Sequence, residues 1–298
     1  MSHSFELQPP SPTDFQHYLS RLGQTSERAL YQVGENWFGR LLRVGERLLY
    51  VRVVDQRSDG KPGWLVELPQ GEPSDEEQVR ASLRHLLCLD APLHDIQALM
   101  QGEEALNGIR ERFLGVRMII DAEPWEAAAG AIISQQLNLA FAAALKQRLM
   151  ELCGEGVTVD GATLRAFPSP EQVARLEPDQ LRALQFSQRK AEYLIGLARE
   201  VVEGRLDLNG LGDASDEAVI ARLVTLRGVG RWTAECFLLF GLGRPDLLPA
   251  ADIGLRNAVR RVYGLDHQPT EGEVRAIAVN WHPWSSWITY YLWLSLAW

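Results

Sequence analysis

The chain has 298 residues, 46% of them hydrophobic, and carries a formal net charge of −9. That length suggests two or three compact units and that apolar content excludes a disordered polymer, while the acidic balance, taken alone, argues against nucleic acid as a partner. Three widely spaced cysteines, Cys88, Cys153 and Cys236, argue against a disulfide scaffold, a zinc site or a cysteine-ligated iron–sulfur cluster, and the six scattered histidines lack metal-ligand spacing. The start "MSHSFELQPP" has no basic region followed by an apolar run, and no stretch approaches the ~20 apolar residues of a membrane span. The expectation is a cytoplasmic protein with no membrane partner.

The first 95 residues read as α+β. "DFQHYLSRL" predicts a short helix, "GRLLRVGERLLYVRVVDQ" two strands around Gly45, "RSDGKPG" a turn and "WLVELP" a further strand. In "PSDEEQVRASLRHLLCLD", Ser74 and Glu77 have capping-box spacing, and Val79, Leu83, Leu86 and Leu87 form the apolar face behind them. From residue 96 to 298 the strand signal largely stops and a helical region begins. "PWEAAAGAIISQQLNLAFAAALKQRLMELCG" is helical on both sides of the polar break "SQQLN", with Asn138 as N-cap of the second helix and Gly154 as its stop. Ser169, Pro170 and Gln172 open another helix with a capping box. Ser187 caps the next, where Arg189 and Lys190 in the first turn oppose the helix dipole. They are either plain solvated charges or phosphate contacts, and both readings stay open.

"LRGVGRWTAE" lies between two apolar-periodic helices, "DEAVIARLVTL" and "TAECFLLFGLG", so "RGVGR" reads as a tight helix–hairpin–helix turn. Gly228 and Gly230 permit positive φ and close approach of another backbone. The turn ends where a helix begins, and unpaired N–H groups there form an anion site that needs no basic side chain. A DNA phosphate fits; a plain helix connection with no ligand is the alternative.

Downstream of the hairpin the chain resembles the helix-hairpin-helix (HhH-GPD) DNA glycosylases, in particular the AlkA-like 3-methyladenine DNA glycosylase II branch. The motif runs from "LRGVGRWTAE" through "DLLPAADIGL". "PWEAAAGAIISQQLN" resembles the family's helix and wedge loop, "FSQRKAEYLIGLA" a common helix start and "WHPWSSWITYYLWLSLAW" its C-terminal aromatic helix. "SFELQPP", "YVRVV" and "HLLCLD" resemble the extra α+β domain of the AlkA-like branch. The resemblance implies an N-terminal α+β domain over 1–95 and a mainly α-helical glycosylase core over 96–298, with the hairpin at 226–231.

It also implies roles. Asp252 is the catalytic carboxylate, stabilising positive charge on the sugar as the base departs; a helix N-cap, alone or in addition, is the other reading of that residue. Gln136 occupies the position that fills the space left by a flipped nucleotide, with Gln135 and Asn138 beside it, against the alternative of a polar break packed on its own protein. Arg227, Gly228, Val229, Gly230 and Arg231 are the hairpin's DNA contacts. Trp232 and Trp293 line an aromatic pocket for an electron-poor base, whereas Trp284, Trp287, Ile288 and Tyr291 make a core stripe by their spacing. Ile253 stands where some members have tyrosine, and Cys236 where an aromatic can occur, so the resemblance leaves the pocket's shape and its base range open. The resemblance implies no organic cofactor and double-stranded DNA with damaged bases as partner; hairpins of the family can hold a monovalent cation through backbone carbonyls near Gly228 and Gly230, a feature that leaves no trace in sequence. Strand-cutting members carry a lysine where this chain has Trp232, so hydrolysis without lyase activity is expected. Two rivals remain: a glycosylase of the same superfamily for oxidised or deaminated bases, and a non-catalytic hairpin module that only grips DNA.

Overall fold

The computed structural model describes residues 2–24, 29–57, 60, 63–159 and 161–296. Most of the expected turn "RSDGKPG", residues 58, 59, 61 and 62, lies outside the described residues. The N-terminal part is a five-stranded antiparallel sheet of order β1-β5-β4-β3-β2, built from β1 (His3–Leu7), β2 (Tyr31–Val33), β3 (Trp37–Val44), β4 (Arg47–Asp55) and β5 (Trp64–Leu68). Strand alternation sets its faces: along β5, Trp64, Val66 and Leu68 are buried while Leu65 and Glu67 point the other way. One helix, α1 (Phe15–Leu22), capped by Asp14, packs Phe15 onto Phe38 and Trp64 with ring centroids 5.8 and 5.1 Å apart. Gly45, at φ +59, turns β3 into β4 as the sequence predicts.

Next comes α2 (Glu76–Leu86), whose Val79, Leu83 and Leu86 are fully buried, as is Leu87 just after it. The expected Ser74–Glu77 capping box does not form. Pro73 starts a 3-10 turn over Pro73–Asp75, so the box moves back to Glu72 and Asp75, and Ser74 sits inside the turn rather than before it. Two short helices, α3 (Leu93–Gln101) and α4 (Asn107–Arg112), lead to α5 (Pro124–Ser134) and α6 (Leu139–Cys153). A two-stranded hairpin follows, β6 (Gly156–Val159) and β7 (Ala162–Arg165), which the reading of this half as helical missed. Val159, Ala166 and the sheet's Leu41 and Tyr50 form one buried cluster, so this hairpin covers the second face of the sheet.

The remaining helices are α7 (Pro170–Ala174), α8 (Pro178–Ala183), α9 (Gln188–Val202), α10 (Asp216–Leu223), α11 (Arg231–Phe240), α12 (Ile253–Val262), α13 (Glu271–Ile277) and α14 (Ser285–Ser295). Ser169 with Gln172, Ser187 and Asn138 cap their helices as the sequence predicts. Two large apolar clusters hold the chain together. The first runs from the sheet through α5, α6, α9 and α11; the second joins α3, α4, α12 and α14. No helix among the described residues is long and apolar enough to cross a membrane.

A buried ion cluster ties the sheet to α5. Arg40 of β3 donates to Glu126 at 3.0 Å and to the Tyr31 hydroxyl at 2.7 Å, and Lys146 of α6 reaches Glu126 at 3.3 Å. Burial works against the Glu126 carboxylate, but Arg40 and Lys146 overcome it and hold its carboxyl below the ordinary value of 4.5. Its contribution to stability is therefore complete above pH 4.5 and fades as pH falls through the lower folded value. Glu126→Ala leaves the Arg40 guanidinium buried without its anion and should cost about 3–5 kcal/mol in a urea titration at neutral pH. A loss below about 1 kcal/mol would place this cluster among weak surface pairs.

Candidate functional site

The turn between α10 and α11 brings the functional elements together. Gly228 has φ +87, and a Cβ there would lie 2.1 Å from the ring of Tyr193 on α9, so only glycine lets that ring pack on the turn. Gly230 differs from expectation. At φ −95 and ψ 175 it is extended rather than left-handed, and its glycine character is not required by the backbone. It is the N-cap of α11, no side chain caps that helix, and a Cβ added there would point into open space. Val229 is 9% exposed and belongs to the first apolar cluster, and its N–H donates to Leu226 O at 3.1 Å. Arg227 pairs with Glu192 at 2.8 Å and lies over the Tyr193 ring, while Arg231 bridges Glu217 and Glu235, each at 2.9 Å.

The polar break between α5 and α6 sits against this turn. Gln135 directs its amide inward, donating to the Gly228 carbonyl at 2.8 Å and to the Thr233 hydroxyl at 2.9 Å. Gln136, the next residue, is exposed and adopts φ +55, a conformation that non-glycine residues rarely take. Asn138 caps α6 through its contact with the Phe141 N–H at 2.8 Å, and Leu139 beside it is 73% exposed. Arg189 is exposed, but Lys190 is neither solvated nor turned outward. It is 8% exposed, and its Nζ donates to the carbonyls of Ile133 and Gln135 at 2.6 and 2.8 Å. Burial pushes its ammonium down from 10.5 to about 8. A signal for this existed: Lys190 shares helical spacing with Leu194 and Leu197 on the buried face of α9.

Two carbonyls were expected to contribute to a cation site. Gly228 O accepts from Gln135, and Gly230 O accepts from the Ala234 N–H as the first bond of α11. Each of these oxygens accepts one hydrogen bond within the fold.

Asp252 lies between α11, α12 and α14. It is the N-cap of α12, with Oδ1 accepting from the Leu255 N–H at 2.7 Å. The same oxygen accepts from Trp293 Nε1 at 2.9 Å, and Oδ2 faces Trp232 Nε1 at 3.3 Å. The two tryptophans named for the pocket thus both meet the aspartate, through their indole N–H groups. Phe240 stacks on Trp293 with centroids 5.9 Å apart. Ile253 is 60% exposed beside the carboxylate. Burial, with Asp252, Glu235 and Asp121 nearby, pushes the Cys236 thiol far up, which keeps it from acting as a nucleophile. Trp287, Ile288 and Tyr291 are buried in the second cluster and Trp284 packs against it, as their spacing predicts.

Residues 129–283, a little over half the chain, match the family described as HhH-GPD superfamily base excision DNA repair protein. The chain belongs to that family. A DNA-3-methyladenine glycosylase of Bacillus subtilis (strain 168) is 28% identical over 95% of this chain and 94% of its own length. DNA-3-methyladenine glycosylase 1 of Schizosaccharomyces pombe is 32% identical, covering 66% of this chain and 88% of the relative. Among solved structures, the 3-methyladenine DNA glycosylase of Archaeoglobus fulgidus superposes with a TM-score of 0.86 at 26% identity, over 98% of this chain and 97% of that one. The α+β N-terminal part followed by a helical family core is therefore shared along the full length.

Because Asp252 caps α12, its removal carries a structural cost separate from any chemistry. Asp252→Ala should lower stability by about 1 kcal/mol, and Asp252→Ser, which restores a capping oxygen, should recover most of it by chemical denaturation. Equal stabilities for the two variants would deny the cap any weight.

Proposed function

We propose that the protein is a monofunctional DNA glycosylase that hydrolyses the N-glycosidic bond of alkylated bases of the 3-methyladenine type in duplex DNA. The observation that carries the reading is the Asp252 carboxylate, part-exposed and held by two indole N–H groups and one backbone N–H. Its partners are neutral donors, which orient the oxygens without neutralising them. Such a carboxylate suits the positive charge that grows on the sugar as the base departs, and it can orient or deprotonate the attacking water. The names carried by its relatives supply the substrate class.

The other parts follow from what base removal demands. The bond is hidden in the duplex, so the nucleotide must leave the stack. Gln136, exposed on a fixed loop, would fill the vacated space. The backbone around Gly230, where a Cβ would meet only open space, would take a phosphate at the start of α11. Trp232 and Trp293 would flank the extruded base near the carboxylate they hold, favouring a cationic or electron-poor ring.

Asp252→Asn keeps the shape and a capping oxygen but removes the charge. It should reduce single-turnover base release by at least about 100-fold while leaving affinity for lesion-bearing duplex within about two-fold. Turnover like that of the unmodified protein would refute the mechanism. The attacking group should be water, because the helix start after the hairpin carries Trp232 in place of an amine. Borohydride added during turnover should therefore trap no covalent protein–DNA adduct; an efficient adduct that depends on catalysis would replace this reading with a lyase.

A further inference from the structure

The strongest unassigned feature is a buried cation with no anionic partner among its hydrogen bonds. Lys190 Nζ donates to the carbonyls of Ile133 and Gln135, the last turn and the C-cap of α5. Those carbonyls lack helical donors, and a cation at a helix C-terminus also meets the negative end of the dipole. The two atoms it holds flank the point where the chain leaves α5 for the wedge loop. One residue later Gln136 takes φ +55, and Gln135 sends its amide to Gly228 O of the hairpin and Thr233 Oγ1 at the start of α11. The same turn of α9 reaches the hairpin independently: Tyr193 packs over Gly228, and Glu192 binds Arg227 at 2.8 Å. The wedge loop and the hairpin are thus fastened to one helical turn, residues 190–193, and to each other.

We propose that Lys190 is a positioning residue for base extrusion: by holding the Ile133 and Gln135 carbonyls it keeps Gln136 displayed at a set height above the phosphate-binding hairpin, so that gripping the backbone and filling the stack occur in register. The inference rests on the glycosylase reading above. It assigns Lys190 to the step that opens the duplex and not to the step that breaks the bond, since nothing places its amine at Asp252. An untethered loop could let Gln136 relax from its left-handed conformation and withdraw from the stack.

The test uses Lys190→Met, which keeps an unbranched apolar stem but lacks the terminal donor. Single-turnover base release is measured on duplexes carrying one methylated purine, either opposite its normal partner or opposite a mismatched base. Release from the paired lesion should fall at least about ten-fold, and release from the mismatched one should stay within about two-fold, because extrusion is cheap there. Equal losses on both substrates would overturn the proposal, since a loss of general stability or of catalytic geometry lowers both. A double-mutant cycle gives a second readout. With the wedge side chain already removed by Gln136→Ala, Lys190→Met should cost nothing further on the paired lesion; additive losses would contradict the link. Should Lys190→Met fail to fold, Lys190→Leu, which also lacks a donor, takes its place with the same expectations, and failure of both to fold makes Lys190 a structural strut and overturns the proposal. Failure of the underlying reading looks different: the unmodified protein would release no methylated base from either duplex.

Discussion

One carboxylate organises the site. Asp252 accepts from the backbone of α12, from the indole of Trp232 at the start of α11 and from the indole of Trp293 on α14, at 2.7, 3.3 and 2.9 Å. Residues far apart in the chain meet at its two oxygens, so the orientation of the acid depends on how three helices pack. That packing is apolar: Leu255, Ala258 and Val259 of α12 share a cluster with Ile288 and Tyr291 of α14, while Phe237 and Leu238 of α11 belong to the cluster that extends to the sheet. Gly254 belongs to the same constraint, because a Cβ there would stand 3.0 Å from Asp252 Oδ1 and 3.4 Å from the Trp293 ring. Hydrogen bonds to a charged acceptor contribute more than neutral ones and also fix direction. The arrangement therefore presents a carboxylate whose geometry is set before any substrate arrives.

Several of the chain's cations already have partners within the fold. Arg40 and Lys146 are spent on Glu126 inside the fold, Lys190 on the carbonyls at the end of α5, and the hairpin's Arg227 and Arg231 on glutamates. Arg40, Lys146 and Lys190 are engaged inside the fold, whereas Arg227 and Arg231 stay largely exposed in their surface pairs. What the hairpin offers an anion is backbone, at a helix start with no side-chain cap. Backbone groups of this kind do not enter a count of charged residues, so net charge alone does not decide whether such a helix start can take an anion.

What could be read from the sequence was local. Asn138, Ser169 and Ser187 cap helices because an oxygen three residues before a backbone N–H is a short-range device, visible in the sequence itself. Val79, Leu83 and Leu86 face the core for the same reason of spacing. Errors arose where a neighbour changed the local rule. Pro73 shifted the start of a turn and moved the capping box off Ser74, and Gly230 proved extended although its partner Gly228 is left-handed. The hairpin over 156–165 has a short-range signal of its own, Asp160-Gly161 after the β-branched run Val157-Thr158-Val159. The helix, the hairpin and the aspartate of the site were legible through resemblance. The bonds among them were not, because Gln135 to Gly228, Lys190 to Ile133 and Trp293 to Asp252 join residues 93, 57 and 41 positions apart. Only the packed chain brings those pairs within hydrogen-bond reach.

The reaction proposed for this carboxylate-and-tryptophan site is the removal of alkylated bases by hydrolysis. Its most direct measurement is incubation of the unmodified protein with a panel of duplexes, each carrying one defined base, followed by chromatographic detection of free base and sizing of the strand. The account predicts release of methylated purines, an intact abasic strand, and no release of 8-oxoguanine or undamaged bases. Release of 8-oxoguanine with methylated purines left in place, or no release from any duplex, would contradict it.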